Sequence, residues 1–440
     1  MGQKFSLTGL LFVLLLSACD LINSGSSTET MVIDTPTAET PVATPVVQTT
    51  PAPVVPAPVI TETETTLTIW MPPEITLGSE GSRAVLNDRL QAFAAAHPDL
   101  DVNVEYKSAS GQGSILNYLR TGQSVAPDVL PDLIAIPADQ LSIAATENLI
   151  YPLNGLIEPA LMDDLYPAAQ SLAHFDQQII GYPFALTGLT HLAYNSSVVT
   201  TTLPLSWGEL VANTNHHFIF PAAGREGAIL ALEFYLAAGG TLVDENGRVA
   251  LQLEPLTTAL ERLSHARNTG FILQQSSNMA TLEETWEAFT AGSAALAQTT
   301  FDQFLQERTT ESAVGVASIP GLDGPLIPLV NGWVWAISTP DLAQRALAAE
   351  LLTELVAGPN LGEWSYQSDF LPARREAFAS WPLDVPYLAF IEQELERAQP
   401  NPAGVNNMIL ATIGDAVFDV VSLTRPPQIA AEEAIAAVQR

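Results

Sequence analysis

Residues 67–106, LTIWMPPEITLGSEGSRAVLNDRLQAFAAAHPDLDVNVEY, contain the pattern of a strand, a helix and a second strand. The first four residues alternate in polarity and end at Trp70, just before a Met-Pro-Pro sequence. From about Arg83 the apolar residues recur at helical spacing and stop before Pro98, and residues 101–106 alternate again. This order predicts a parallel pair of strands joined by a helical crossover.

The same order of elements continues along the chain. A helix is predicted near Ile115 to Arg120, and a buried strand at Asp132 to Ile136. Three strands separated by two helices favour an α/β sheet with helices on both faces, and ligands bind such sheets beyond the carboxyl ends of the strands. We therefore expect Trp70 and the residues after Ile136 to lie near a site. From Pro340 onward the pattern predicts almost only helices.

Residues 1–19 have the features of a lipoprotein signal peptide. Lys4 supplies a positive charge, and the apolar run from Leu7 to Leu16 is shorter than the roughly 20 residues that span a bilayer. The closing Leu-Ser-Ala-Cys resembles a bacterial lipobox, in which the cysteine is acylated and becomes the mature N-terminus. Cys19 is the only cysteine of the chain, so we predict that it is lipidated. The alternative is an ordinary signal peptide with a chance cysteine.

Residues 20–66 are a predicted tether. Thr, Pro, Ser, Ala and Val dominate this segment, and proline favours extended polyproline conformations that act as semi-rigid spacers. The part from residue 67 to residue 440 exceeds the ~250–300 residues at which a single hydrophobic core stops growing. Two lobes are therefore expected after the tether.

Charge narrows the range of partners. The formal net charge is −32, with 16 basic residues against 48 acidic ones, and Lys4 and Lys107 are the only lysines. Such a chain has no basic patch to neutralise phosphates, which excludes a nucleic-acid partner. An acidic exterior keeps a protein soluble, and an acidic cleft would also suit a cationic ligand.

Several short motifs follow one another after the tether. They are residues 67–70, 90–98, 102–104, 126–129 with the similar 131–134, 181–184, 192–195, 204–210, 238–242, 288–296 and 331–333. In this order they resemble the extracellular solute-binding proteins of ABC sugar importers, the family 1 group that includes maltose-binding protein. The resemblance covers nearly all of the chain after the tether, although the doubled Pro-Asp motif leaves open which copy corresponds to the family's strand.

The resemblance implies a two-lobed, periplasmic-binding-protein-like (type II) α/β fold. Each lobe would be a mainly parallel sheet flanked by helices, with the ligand in the cleft between them. The first lobe would comprise residues 67–188 plus about 334–392, and the second residues 189–333 plus about 393–440. The implied protein is an extracytoplasmic monomer, lipid-anchored to the cell membrane. It would capture a mono- or oligosaccharide by hinge closure and deliver it unchanged to transmembrane permease subunits.

Candidate ligand-binding residues lie at strand ends or in the family-matched loops. Aromatic rings can stack on the apolar face of a pyranose, and amides, hydroxyls or charged groups can bind its hydroxyl groups. The candidates are Trp70, Tyr182, Tyr194, Thr299, Phe301, Asn331, Trp333 and Arg374. For each aromatic the alternative is core packing, and for Arg374 it is an ordinary surface position. Which of Trp70, Trp333 and Trp335 faces the cleft stays open.

Enzyme signatures are mostly missing from the sequence. It contains no G-x-S-x-G, H-E-x-x-H or G-x-x-x-x-G-K motif, and His216 and His217 are adjacent, which is not the spacing of a zinc pair. Glu283 and Glu284 diverge as neighbours on a predicted helix, and Glu284 fits a capping box that begins at Thr281. We therefore predict no catalytic residue, no metal site and no cofactor.

Two other functions stay open at this point. One is the same fold with a non-sugar solute such as a polyamine, and the other is a surface-anchored hydrolase or adhesion protein. Aromatic rings in the cleft would favour a sugar, and several carboxylates there would favour a cation. A convergent acid/base pair would favour a hydrolase.

Overall fold

The computed structural model describes residues 65–75, 79–212, 216–307, 313–382 and 385–439. The predicted signal peptide, the lipidation site Cys19 and nearly all of the tether lie outside these ranges. The first strand begins at Thr65 and so includes the last two residues of the predicted tether. Within the described ranges, no helix combines the length and the apolar character needed to cross a membrane.

The strands fall into a large sheet, a smaller sheet and a hairpin. They are β1 (Thr65–Met71), β2 (Leu100–Tyr106), β3 (Leu133–Pro137), β4 (His174–Phe175), β5 (Gln178–Ile179), β6 (Tyr182–Thr187), β7 (Thr190–Asn195), β8 (Phe218–Ile219), β9 (Leu296–Thr300), β10 (Val314–Ala317), β11 (Leu329–Ile337), β12 (Leu371–Pro372) and β13 (Gln399–Pro400).

Helices fill most of the remaining described chain. They are α1 (Glu80–Ala96), α2 (Ile115–Val125), α3 (Leu141–Thr146), α4 (Pro159–Asp163), α5 (Pro167–Leu172), α6 (Trp207–Ala212), α7 (Gly227–Ala237), α8 (Leu253–Asn268), α9 (Leu282–Thr290), α10 (Phe301–Glu307), α11 (Leu342–Leu355), α12 (Gly358–Gln367), α13 (Val385–Arg397), α14 (Asn407–Val421) and α15 (Pro427–Val438). Several begin at a polar cap: the Ser79 side chain accepts a hydrogen bond from the Ser82 amide of α1, and the Asn406 side chain accepts one from the Ile409 amide of α14.

The seven-stranded sheet has the order β12-β6-β11-β3-β1-β2, with β13 paired to β11. Strands β2 and β3 both pair with β1 in parallel, with Ile69 opposite Val104 on one side and opposite Leu133 on the other. Helix α1 connects β1 to β2, so the strand, helix and strand predicted from residues 67–106 are confirmed.

Both larger sheets are mixed, which corrects the expectation of mainly parallel sheets. Strand β11 runs antiparallel to β3 and β6, and β12 runs antiparallel to β6. In the four-stranded sheet, of order β10-β7-β9-β8, only β8 and β9 are parallel. The reason is where β11 enters its sheet. Trp333 lies opposite Pro137, the last residue of β3, so β11 starts at the carboxyl end of β3 and must run against it.

The chain passes between the two larger sheets near residues 188–189 and again before β11. Thr190, the first residue of β7, lies opposite Thr300, the last residue of β9. The carboxyl ends of β8 and β9 therefore lie on the edge of the smaller sheet from which β7 starts. In the large sheet, β6 ends and β11 begins at the corresponding edge, where Thr187 lies opposite Asn331.

The interior around the two larger sheets contains one core cluster that both sheets share and a second that belongs to the smaller sheet. The shared cluster packs α1, α11 and α12 on the large sheet and extends to the smaller sheet, α9 and α10, with Trp335 stacked on Phe184 at a centroid distance of 4.9 Å. A second cluster packs the smaller sheet against α7, α8, α14 and α15 and centres on Trp207. The C-terminal helices α14 and α15 thus pack with the middle of the chain.

Candidate functional site

A polar cavity of about 410 Å³ lies where the two larger sheets meet. Its lining comes from the β6–β7 connection, the carboxyl end of β9, the N-terminal turns of α7 and α9, and the start of β11. The lining residues are Gly188, Thr190, Glu226, Ile229, Thr281, Leu282, Glu283, Thr300, Asp302, Gln303, Leu329, Asn331 and Asn401. We call this the first cavity. Its position agrees with the rule that ligands bind beyond the carboxyl ends of strands.

A second cavity of about 390 Å³ adjoins the first. The two share Gly188, Thr300 and Asp302. The second cavity also borders Leu186–Leu189 and Ser368–Leu371, and its aromatic side chains are Phe301 and Phe370. Both cavities therefore border the segment through which the chain first passes between the sheets.

Helix caps hold two acidic residues at the rim of the first cavity. The Thr281 side chain accepts a hydrogen bond from the Glu284 amide at 3.2 Å, and Glu284 Oε2 accepts one from the Thr281 amide at 3.3 Å, which confirms the predicted capping box. Glu226 Oε2 accepts a hydrogen bond from the Leu282 amide at the start of α9. Glu226 and the exposed Glu283 are thus the two acidic residues at this helix start that line the first cavity.

The first cavity is acidic and rich in hydrogen-bonding groups. Glu226, Glu283 and Asp302 contribute three carboxylates. Threonine, glutamine and asparagine side chains supply the remaining polar lining. None of the residues that line it in the described part of the chain is basic or aromatic. Such a surface can accept hydrogen bonds from hydroxyl groups or attract a cation.

The structure does not bring the predicted site residues together. Asn331 lines the first cavity and Phe301 the second, and the other predicted residues line neither. Tyr194 is half-buried in the core of the smaller sheet, with its ring against Gly315 of the neighbouring strand, and Trp333 packs on the core of the large sheet. A ligand contact for Tyr194 or Trp333 stays a prediction.

Trp70 lies under α2 and is 5% exposed. Its ring is 6.1 Å from that of Tyr118, and Lys107 Nζ lies 5.1 Å from the centre of the Trp70 ring. The side chain is therefore packed between sheet and helix. The core-packing alternative describes this position, and ligand contact by Trp70 stays a prediction.

Tyr182, Thr299 and Arg374 are interior residues, and a ligand contact for each of them stays a prediction. The Tyr182 hydroxyl donates to the Leu161 carbonyl at 2.9 Å, and Thr299 is fully buried within the small sheet. Arg374 is 4% exposed, and its guanidinium pairs with Asp164 and Glu376, each at 2.8 Å. The three side chains are buried, and internal contacts account for them without a ligand. Arg374 is also not at the ordinary surface position that was the alternative for it.

Sequence reasoning missed the carboxylates and Asn401 of the first cavity. Asp302 carried a usable signal, because it lies shortly after the apolar residues 294–297, which enter strand β9, and site residues are expected beyond the carboxyl ends of strands. Glu283 lies at the start of a predicted helix, and nothing in the local sequence pattern shows that this start borders a cavity. Asn401 reaches the site only because β13 pairs with β11.

Comparisons with known proteins agree with this architecture. A family model for bacterial extracellular solute-binding proteins matches residues 88–385. None of the curated proteins matches the chain. Among solved structures, an extracellular solute-binding protein family 1 from Alicyclobacillus acidocaldarius is 16% identical with a TM-score of 0.69, over 85% of this chain and 98% of that one.

Two further structures share the fold. The extracellular solute-binding protein from Staphylococcus aureus, solved in complex with maltose, is 17% identical with a TM-score of 0.68, over 85% of this chain and 97% of that one. The sugar-binding protein MalE from Xanthomonas citri is 18% identical with a TM-score of 0.67, over 85% of this chain and 96% of that one. The fold is thus the two-lobed α/β fold of the maltose-binding proteins. With a family model matched over more than half of its length, the chain belongs to the bacterial extracellular solute-binding proteins.

Proposed function

We propose that this protein is the solute-binding lipoprotein of an ABC importer, and that it captures a carbohydrate by hinge closure and delivers it to the permease. The observation that supports this most is the polar cavity at the meeting of the two sheets. The proposed lobes are residues 67–188 plus about 334–392, and residues 189–333 plus about 393–440. Nearly all of the lining of the first cavity belongs to the second of these lobes, and the adjoining second cavity adds residues 186–188 and 368–371 of the first lobe. A ligand that extends through both cavities would therefore contact both lobes and shift the population toward a closed form.

A carbohydrate suits the chemistry of the first cavity. Its volume, about 410 Å³, lies within the ~300–1,000 Å³ of small-molecule sites. Carboxylates and amide oxygens accept hydrogen bonds from sugar hydroxyls, and amide nitrogens and threonine hydroxyls donate to them. Asn331 and Asn401 would contribute from one side, and Glu226, Glu283 and Asp302 from the other. The shared fold with a protein solved in complex with maltose also supports a sugar.

A cationic solute such as a polyamine is the second candidate. The observation that favours it is the charge of the first cavity, where three carboxylates are lined up without a basic side chain among the described lining residues. An ammonium group would be attracted by all three, and such pairs strengthen as the site closes and water leaves. The aromatic side chains Phe301 and Phe370, on which a sugar ring could stack, line the second cavity and not the first.

Calorimetric titration of the purified protein with maltose, maltotriose, glucose, putrescine and spermidine tests the two candidates. We expect a sugar to bind and to be recovered intact. Asp302→Asn and Glu283→Gln should each weaken binding by about 10- to 100-fold, because a hydrogen bond to a charged group contributes about 1.5–3 kcal/mol.

The exposed Glu261 on α8 lines neither the first nor the second cavity, so Glu261→Gln is the matched control and should bind as the wild type does. If only a polyamine binds, the solute is a cation, as in the second candidate, and not a sugar. Turnover of the bound sugar would favour a hydrolase. A panel that shows no binding at all would count against both candidates.

Lipidation can be tested separately in cells. We expect the wild-type protein to incorporate a labelled fatty acid and to sediment with membranes, and the Cys19→Ala variant to lose both properties, because Cys19 is the only thiol of the chain. Fatty-acid labelling followed by membrane fractionation measures this. A Cys19→Ala variant that still carries the label would show that the anchor is elsewhere.

A further inference from the structure

Glu233 is a buried acid at the place where the chain passes between the sheets. It lies on α7 and is 3% exposed. The Thr190 hydroxyl, at the start of β7, donates a hydrogen bond to Glu233 Oε1 at 3.4 Å. A third cavity, of about 310 Å³, is bordered by Glu233 together with Leu329 at the start of β11 and Gln399 of β13. The Glu233 carboxyl group thus adjoins the starts of β7 and β11, the two strands that the chain enters after passing between the sheets.

The basic group that faces Glu233 forms its ion pair with another carboxylate. Glu394 and Arg397 of α13 face it, and they form an ion pair with each other. Glu394 is 1% exposed and also accepts a hydrogen bond from the Ser318 hydroxyl at 2.6 Å. Asp323, in the loop before β11, borders the same third cavity. No ion pair joins Glu233 to a basic side chain in the described ranges.

This environment favours the neutral form of the carboxyl group. Burial raises the pKa of Glu233 to about 8. The Leu329 backbone, the Thr190 hydroxyl and Arg397 act in the opposite direction, and Glu394 adds to the increase. At neutral pH Glu233 therefore carries a proton, and at alkaline pH two buried carboxylates face one guanidinium.

We propose that Glu233 is a protonation-dependent latch of the hinge. In the neutral form it holds the starts of β7 and β11 together without a buried charge that requires hydration. In the ionised form its charge requires hydration, and the third cavity provides the route by which water reaches it. Ionisation then loosens the packing of the crossing segments. The latch rests on the proposed hinge closure between the lobes and holds whichever solute is bound.

Hydrogen exchange followed by mass spectrometry tests the latch on the full chain without a ligand. Corrected for intrinsic rates, protection of amides in residues 189–193 and 329–333 should fall about tenfold between pH 6 and pH 9, relative to the amides of α1. Glu233→Gln, which keeps the shape of the neutral acid, should remove this pH dependence. Thr190→Val removes a hydrogen bond that favours the charged form, so its transition should move to higher pH.

The stability of the protein gives a second readout. The pKa of Glu233 is raised above the unfolded value of 4.5, so the native protein keeps a proton that the unfolded chain releases. The free energy of unfolding should therefore fall as pH rises from about 4.5 to about 8, and Glu233→Gln should flatten this slope.

Glu261→Gln, an exposed change on α8, is the matched control and should retain the wild-type profile. Three results would overturn the latch. The first is a constant protection of both crossing segments from pH 6 to pH 9 in the wild type. The second is an equal loss of protection in α1, which indicates global loosening. The third is a Glu233→Gln variant that keeps the wild-type pH dependence.

Discussion

Replacement of Arg374 by methionine is expected to lower the free energy of unfolding by about 3 kcal/mol, because it removes a buried cation from three partners. Arg374 Nε and Nη2 pair with Asp164 and Glu376, and Nη1 donates to the Val356 carbonyl. The side chain thereby ties the segment after β12 to the region of α4 and to the end of α11. Methionine fills much of the same volume but leaves a buried carbonyl and a partly buried carboxylate without this donor.

Urea denaturation followed by circular dichroism measures this loss, with Arg425→Met as the matched control. Arg425 also pairs with two carboxylates, but it is 44% exposed, so its replacement should cost less than about 1 kcal/mol. The folded Arg374→Met protein should bind its solute with wild-type affinity, because Arg374 lines neither of the two cavities at the sheet junction. If the Arg374→Met protein instead keeps wild-type stability but no longer binds the solute, Arg374 belongs to the ligand site.

Local patterns predicted the first elements of the fold well. The helix expected from about Arg83 to Pro98 is α1, and it begins slightly earlier because Ser79 caps it. The strand expected at 132–136 is β3, shifted by one residue. Strand direction could not be predicted, because alternation of polarity is the same in both directions. The antiparallel course of β11 depends on where the chain re-enters the large sheet.

The aromatic candidates illustrate a second limit of the sequence. Trp333 and Trp335 lie on one face of β11, and both pack against the core of the large sheet. A tryptophan at a strand end can stack on a sugar or fill a core, and its immediate neighbours in the sequence are compatible with either. For Trp335 the structure shows core packing, because its ring stacks on that of Phe184 in the interior.

The acidic lining of the first cavity could not have been selected from the sequence. The chain has 48 acidic residues, and those of the cavity come from separate helix starts. Glu226 and Glu283 meet only because the Glu226 carboxylate caps α9 across a separation of 56 residues. Contacts of this kind depend on tertiary packing, which leaves no periodic signal.

Truncation of Trp207 to alanine is expected to cost about 4 kcal/mol of unfolding free energy, more than the loss of the buried Arg374 cation. Trp207 is 1% exposed at the start of α6. Its ring meets those of Phe218, Phe234 and Phe271 edge-on, at centroid distances of 5.7, 5.2 and 5.5 Å. Removal of the indole leaves a cavity among rings that are fixed on a strand and a helix, so the core cannot collapse around it.

Urea denaturation followed by far-ultraviolet circular dichroism measures this cost without relying on tryptophan fluorescence. Trp207→Phe keeps an aromatic ring in the cluster and loses only the Nε1 hydrogen bond to the Arg262 carbonyl and part of the volume, so it should cost about half as much. Leu205, two residues earlier and 57% exposed, provides the control, and Leu205→Ala should stay within about 0.5 kcal/mol of the wild type. If Trp207→Ala costs no more than Leu205→Ala, the aromatic cluster does not hold the smaller sheet to α7. The stability of this half of the molecule would then have to come from the helix packing of α8, α14 and α15 instead.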